Sequence, residues 1–404
     1  MKKSLLALAA LGAFAGVAHA QSSVTLYGII DEGFNINTNS GGKHLYNLSS
    51  GVLQGSRFGL RGAEDLGGGL KAVFVLENGF DVNNGKLGQG GLMFGRQAYV
   101  GLSSAQFGTV TLGRQYDSVV DYVGPLEAGD QWGGYIVAHP QDLDNFNNAY
   151  RTNNTVKYTS ANYGGLTFGG TYSFGGQAGN ITGNQIWSLG AGYNNGPLAL
   201  GVGYLNARTP NAFGGLFNNG STSSPLSNLP TTASTINGNA VYGGFSTANT
   251  YQVIGAGGAY TLGAATFGLT YSNVSFRNLG AVAGSTGGVA YQRGSNATFN
   301  NVEANFKYQF TPALLAGFAF DYTDGRSVTL ANGSSNRGAK YFQYALGTDY
   351  FLSKRTDVYL IGVYQHATGT NSLDQSAVAN LNGPITPSST NNVFTARVGI
   401  RHKF

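Results

Sequence analysis

Val393-Phe-Thr-Ala-Arg-Val-Gly-Ile-Arg-His-Lys-Phe404 decides the solvent in which this chain folds. Read at a spacing of two, Phe394, Ala396, Val398, Ile400, His402 and Phe404 share one face. Thr395, Arg397, Gly399, Arg401 and Lys403 share the other. A strand alternates faces with period 2, so one side is apolar and the other strongly basic. A soluble sheet can show the same alternation, but a terminal Phe is then ordinarily frayed and expendable. Here the pattern runs through Phe404, as expected of a strand that pairs with the first one and closes a barrel. Closure removes the edge strand and satisfies every backbone donor and acceptor, which a bilayer demands.

The opening of the chain agrees. Lys2 and Lys3 precede an apolar run from Leu5 to Val17, and Ala18-His19-Ala20 fits a small-residue cleavage site before Gln21. Residues 1–20 therefore read as a secretory signal, too short for a membrane helix. Residues 21–404 are expected to form one barrel domain. Cleavage lowers the formal charge from +5 to +3, which gives no reason to expect a nucleic-acid partner. The chain has 64 Gly, 24 Tyr, 24 Phe and no Cys. Lack of cysteine argues against a small disulfide scaffold and is neutral for a large barrel. Averaged hydropathy resembles that of a soluble protein, as it does when lipid-facing and lumen-facing residues alternate and cancel.

Sixteen alternating segments are legible, and their connections fall into two classes. Short turns lie near 65–69, 104–108, 162–165, 194–197, 262–264, 311–313 and 353–356, built from Gly, Asn and Pro. Long polar connections lie around 35–50, 81–92, 115–150, 175–184, 207–249, 274–297, 323–338 and 366–391. Short turns on one rim and long loops on the other describe a transmembrane β-barrel with an even strand number. The predicted fold is all-β: a 16-stranded antiparallel transmembrane barrel. Aromatics near strand ends, among them Tyr27, Phe168, Tyr260, Tyr271, Phe310 and Tyr350, suit interfacial girdles. The Gly/Ser/Thr/Asn-rich stretch 211–250 reads as exterior loop.

Two charged sets stand out. The connection 115–150 carries Asp117, Asp121, Glu127, Asp130, Asp142 and Asp144 with no Lys or Arg. Long irregular loops are uncommon unless they have a job. On the strands, Phe58 and Leu60 take the lipid parity and leave Arg57 and Arg61 inward. Val156 and Tyr158 likewise leave Lys157 inward, with Arg151 on its parity, and the last strand contributes Arg397 and Arg401. A lipid-facing Arg at mid-membrane costs roughly 2–4 kcal/mol, which favours inward placement. Arg96 and Arg114 sit where parity is ambiguous. There is no Cys, no His-Glu-x-x-His and no phosphate loop, so no catalytic residue, cofactor or metal site is expected. A hydrolase would pair His139 with a Ser and an Asp, but nothing beside it in the sequence supports that reading.

The ending Val-Gly-Ile-Arg-His-Lys-Phe resembles the closing strand of Gram-negative outer-membrane porins. So do Ser-Ser-Val-Thr-Leu-Tyr-Gly at 22–28, Ser56 to Gly62, and Phe94 to Leu102. Together these resemble the porin family of beta-proteobacteria, similar to the neisserial and burkholderial general porins. The resemblance implies that the acidic connection is the inward-folded third loop that sets the constriction. Its bends at Gly124-Pro125 and Gly133-Gly134 fit, while Pro125 to Asp130 departs from the common family form. It also implies a basic wall ladder opposite, with Arg57, Arg61, Arg96, Arg151, Lys157, Arg397 and Arg401 as candidates and Asp117, Asp121, Glu127 and Asp130 as loop acids. Phe404 becomes an assembly signal for the barrel assembly machinery. Expected partners are two further copies in a homotrimer, outer-membrane lipid and lipopolysaccharide, ions and small hydrophilic solutes. General diffusion with a mild anion preference is the expected function. A substrate-selective channel would need an aromatic track on the inward parities, which show mostly Gly, Thr, Asn and charge. An adhesin or receptor role would rest on the long loops.

Overall fold

The computed structural model describes residues 23–208, 239–281, 288–383 and 386–404. The expected signal segment 1–20 lies outside the described residues. The wall is built from β1 (Ser23–Ser40), β2 (Lys43–Ser50), β3 (Arg57–Gly67), β4 (Leu70–Gly79), β5 (Gln97–Ser104), β6 (Gly108–Gln115), β7 (Thr152–Thr159) and β8 (Leu166–Ser173). It continues through β9 (Ile186–Asn195), β10 (Leu198–Arg208), β11 (Thr250–Leu262), β12 (Ala265–Arg277) and β13 (Ala297–Thr311). The circuit ends with β14 (Leu314–Gly325), β15 (Ala339–Phe351), β16 (Thr356–Gly369) and β17 (Asn392–Lys403).

These pieces make sixteen strands, because β2 and β3 are two halves of one. β2 pairs with β1 from Glu32 to Ser40, and β3 pairs with β1 from Ser23 to Ile29. Between them, residues 51–56 leave the wall and carry Val52 and Leu53 into the interior. Every other strand pairs antiparallel with its sequence neighbours. β17 returns to β1 in a register running from Ile29 opposite Lys403 to Asn37 opposite Thr395. Gly28 and Phe404 exchange backbone hydrogen bonds of 3.1 Å, so pairing extends through Phe404.

All seven short turns fall where the pattern placed them, and among the described residues the loops at the opposite rim match with one exception. The connection expected at 35–50 is strand: β1 and β2 meet at a tight turn on Gly41 and Gly42, both at positive φ. Residues such as Asn35 and Asn37 looked loop-like because they are polar, but they point inward and bond across the wall.

The outer belt follows the parity of the closing stretch. Phe394, Val398 and Ile400 are exposed, whereas Thr395, Arg397 and Arg401 are buried. Val100, Leu102, Leu189, Val202, Leu269 and Leu346 continue the belt, each at least half exposed. Leaving such side chains in water forgoes roughly 1.5–3 kcal/mol apiece relative to burial, so this surface belongs in lipid. Tyr27 departs from its expected girdle place. It faces inward, donating its hydroxyl to Glu77 at 3.0 Å.

The interior is not uniformly wet. Val119, Phe146, Leu205, Phe245, Tyr251, Phe276, Phe299 and Tyr341 form a core inside the barrel mouth. Val241, Phe245 and Ala248 belong to it, which corrects the exterior-loop reading for the described part of 211–250. Loops thus fill one side of the barrel and confine the water path to the other.

Candidate functional site

The connection from β6 to β7 turns into the barrel at a helical cap. Asp117 accepts from the backbone N–H of Val119 (2.8 Å) and Val120 (3.3 Å), starting the short helix α1 (Ser118–Tyr122). Its other oxygen accepts from Asn145 Nδ2 at 2.7 Å, tying the outgoing leg of the loop to the returning one. Burial pushes this carboxyl up to about 6 against the pull of those hydrogen bonds. α1 lies on a patch of wall without side chains: a Cβ at Gly201 would sit 1.9 Å from the Tyr122 carbonyl oxygen. Lys157 of β7 holds Asp121 in an ion pair and donates to the Tyr116 carbonyl at 3.1 Å.

Farther along, the Trp132 ring covers Gly317 and Gly347 on the far wall. Gln343 Nε2 donates to the Val137 carbonyl at 2.8 Å, and Asn305 Nδ2 to that of Leu126 at 3.0 Å. The Tyr135 N–H reaches the Val52 carbonyl, 2.7 Å away on the inward bulge of the second strand. The loop therefore crosses the lumen and is fastened on both sides.

What remains open is a gap of about 330 Å³. One side is Arg57, Arg96, Arg151 and Tyr116; the other is Pro125, Gly129, Asp130 and Tyr135, with 51–55 between them. Arg57 Nε donates to the Gly55 carbonyl at 2.8 Å. Arg96 is clamped by Glu77 (Nε to Oε1, 2.7 Å) and by Tyr116 Oη at 3.0 Å. The Arg151 guanidinium lies 5.6 Å from the Tyr116 ring centroid. Asp130 is exposed to the lumen and accepts from Asn147 Nδ2 at 2.8 Å. Three guanidinium groups thus face two carboxylates, Glu77 and Asp130, which leaves the gap net positive.

The remaining candidates lie elsewhere. Arg61 is inward and exposed, 5.4 Å from the Tyr27 ring, but outside the gap lining. Arg397 is inward yet fully buried, so it corrects the ladder reading. Its guanidinium donates to Tyr359 Oη, the Gly33 carbonyl, Asn35 Oδ1 and both oxygens of Ser49, and stands 3.6 Å from Asp31. Arg401 is also mostly buried, paired with Asp349 (3.2 Å) and Asp357 (3.0 Å). Lys157 is spent on Asp121. Among the loop acids only Asp130 lines the gap. Asp117 is a buried cap, Asp121 an ion-pair partner, and Glu127 is fully buried beside His139 and Glu303. Burial holds Glu127 well above the usual carboxylate range.

Three features escaped the sequence reading: Glu77, Tyr116 and the inward bulge. Glu77 was findable, since an acid on a barrel strand needs a cation. Arg114 proves to be buried, donating to the Gly95 carbonyl at 2.8 Å. Ser272 and His139 both bond Asp144 Oδ2 at 2.6 Å, so the serine hydroxyl is turned to the acid and not to the imidazole. That arrangement activates no nucleophile.

The family model described as Gram-negative porin matches residues 7–371. An outer membrane porin protein of Bordetella pertussis is 40% identical over 242 residues, 53% of this chain. The chain spans 62% of that relative's length. Among solved structures, an anion-selective porin from Comamonas acidovorans superposes with a TM-score of 0.70 at 22% identity, covering 95% of this chain and all of that one. The trimer form of OmpT from Vibrio cholerae superposes at 0.61 with 15% identity, covering 95% and 99%. Identities this low speak to the fold alone.

Proposed function

The chain belongs to the Gram-negative porin family, and from that premise we propose that it is a general diffusion channel of the outer membrane with a mild anion preference. Its solutes are ions and small hydrophilic molecules, which pass without a covalent step. The observation that carries the reading is the gap itself, where Arg57, Arg96 and Arg151 face Asp130 across about 330 Å³. Transverse charge across a narrow aqueous gap lets polar solutes align, while an apolar solute loses water without gaining an apolar contact. The excess of guanidinium over carboxylate raises the local anion concentration. The printed name of the Comamonas structure, an anion-selective porin, points the same way. The trimer form of the Vibrio structure favours a homotrimer here, and Phe404 acts as the assembly signal.

Planar-bilayer reversal potentials across a salt gradient test the selectivity. Two unit charges about 8 Å apart in water interact by about 0.5 kcal/mol. Neutralising Arg57 and Arg151 together, to Gln, should then lower the local anion concentration roughly fivefold and the anion-to-cation ratio roughly thirtyfold before screening, which reduces both at working salt. A double variant that keeps the parent's ratio at low salt would remove both residues from the constriction.

A further inference from the structure

Behind the gap, where the loop meets β13 and β14, the described residues hold a dry cluster of ionisable groups. His139 is fully buried, and its Nδ1 lies 2.6 Å from Asp144 Oδ2. Asp144 Oδ2 is itself fixed by the Ser272 hydroxyl at 2.6 Å. A carboxylate at that distance takes Nδ1 as its hydrogen-bond partner, which leaves Nε2 as the nitrogen available to a ligand. Nε2 faces two more acids, Asp321 Oδ1 at 3.6 Å and Glu303 Oε2 at 3.8 Å. Both distances are too long for hydrogen bonds.

Four residues repeat one pattern, with one polar atom held by the protein and the other buried and unpartnered. Glu127 Oε1 accepts from the His139 N–H at 2.9 Å, while Oε2 has no partner. Glu303 Oε1 accepts from the Ala128 N–H and from Asn305 Nδ2, while Oε2 has none. Asp321 Oδ2 accepts from Thr323 Oγ1, while Oδ1 has none. His139 Nε2 is the fourth. Orphaned buried polar atoms are costly, and here Glu303 Oε2 and Asp321 Oδ1 both face Nε2, with Glu127 on the Nδ1 side of the ring at 3.9 Å. Glu127, His139 and Glu303 each offer a donor atom within 4.8 Å of the other two.

We propose that Glu127, His139, Glu303 and Asp321 bind a divalent transition-metal ion of the Zn²⁺ class, which fastens the loop to the wall. One imidazole nitrogen and three carboxylate oxygens are four donors of the kinds that Zn²⁺ accepts, and the imidazole favours a transition metal over a purely oxygen-bound ion. Metal–ligand bonds of about 2.0–2.1 Å place ligand atoms roughly 3.3–3.4 Å apart, so a contraction of a few tenths of an ångström closes the His139–Glu303 and His139–Asp321 edges. A calcium site would want more oxygens and no imidazole. Asp144 on Nδ1 is the outer carboxylate that orients metal-bound histidines. The ion also answers the charge problem, because Glu127, Asp144, Glu303 and Asp321 surround a single imidazole away from water. Two ligands come from the loop and two from the wall, so binding couples the loop path to strands more than 160 residues later in the chain. The site is sealed in the folded protein, so metal enters during folding.

The test is to refold the full mature chain into detergent with Zn²⁺ alone or with EDTA, then desalt and measure metal content. We expect one Zn²⁺ per folded chain, and the visible bands of four-coordinate cobalt when Co²⁺ replaces it. His139→Gln should abolish stoichiometric retention. Asp321→Asn, the milder change, should weaken retention while leaving the heat-modifiable barrel on gels. Glu64→Gln, at the short-turn rim, should retain the ion fully. Zinc-free parent that folds in the presence of Zn²⁺ overturns the proposal. Retention unchanged in a folded Asp321→Asn and His139→Gln pair overturns it as well.

Discussion

Asp117 shows what a single buried carboxylate does to this fold. It caps α1 and holds Asn145, but it does so without water, and its pKa of about 6 lies above the ordinary value of about 3.9. With the folded-state pKa raised, this group's stabilising contribution is complete below about pH 4 and is lost as pH rises through about 6. Asn at this position mimics the protonated form and retains a capping oxygen. The melting temperature of Asp117→Asn relative to the parent should therefore rise in the variant's favour between pH 4 and pH 7. An offset that stays constant over that range would show that Asp117 does not titrate there. Asp130 makes the complementary case at the gap. As its lumen-exposed loop carboxylate, Asp130→Asn should move the reversal potential toward stronger anion selectivity, whereas Asp121→Asn should shift it little. Period-2 parity placed Arg57 and Arg397 alike on the inward face, because direction is a local property of a strand. Only the path of the loops and the inward bulge decides that Arg57 meets the channel while Arg397 is enclosed by Ser49, Tyr359 and Asp31. Ser49 and Asp31 lie more than 300 positions from Arg397, and no local pattern encodes those contacts.

At the scale of elements, the loop is positioned by where the wall lacks side chains. Trp132 rests on Gly317 and Gly347, and a Cβ at Gly317 would come within 2.3 Å of the indole. Even Ala there must lift the ring away from the wall, and the loop moves with it toward the open side. In a Trp187→Phe background Trp132 is the remaining indole, so its fluorescence reports the displacement. Gly317→Ala should red-shift the emission, increase quenching by acrylamide and lower single-channel conductance. Unchanged emission together with unchanged conductance would show that the ring does not set the loop's position. Excising residues 126–139 works in the opposite direction and should raise conductance, since it removes the crossing segment along with its wall contacts. The strand pattern was legible because each strand carries its own alternation and turn residues. The role of the glycines under the loop had no local signal, since their partner is a tryptophan from a distant segment. His139 looked isolated for the same reason: two of its surrounding acids, Glu303 and Asp321, come from wall strands far along the chain.

The whole molecule is a closed circuit, and Phe404 sits at its seam. Its backbone exchanges two hydrogen bonds with Gly28, and its ring lies over that glycine, where a Cβ would be 2.3 Å from the ring edge. In energetic terms the residue is one pair in a register that already runs from Ile29 to Asn37. Losing it should shorten the closing ladder by a single step and leave the remaining pairs intact. Deleting Phe404 is therefore expected to cost little when purified protein is refolded in detergent, as read by the heat-dependent gel shift and the melting temperature. On the proposed role of Phe404 as an assembly signal, the same deletion in cells should deplete folded protein in the outer membrane several-fold. Phe404→Tyr retains an aromatic ring on that parity and should assemble as the parent does. Equal loss in the detergent and in the cell would assign Phe404 a purely structural role at the seam. Parent-level assembly of the deletion in cells would end the reading of Phe404 as a signal.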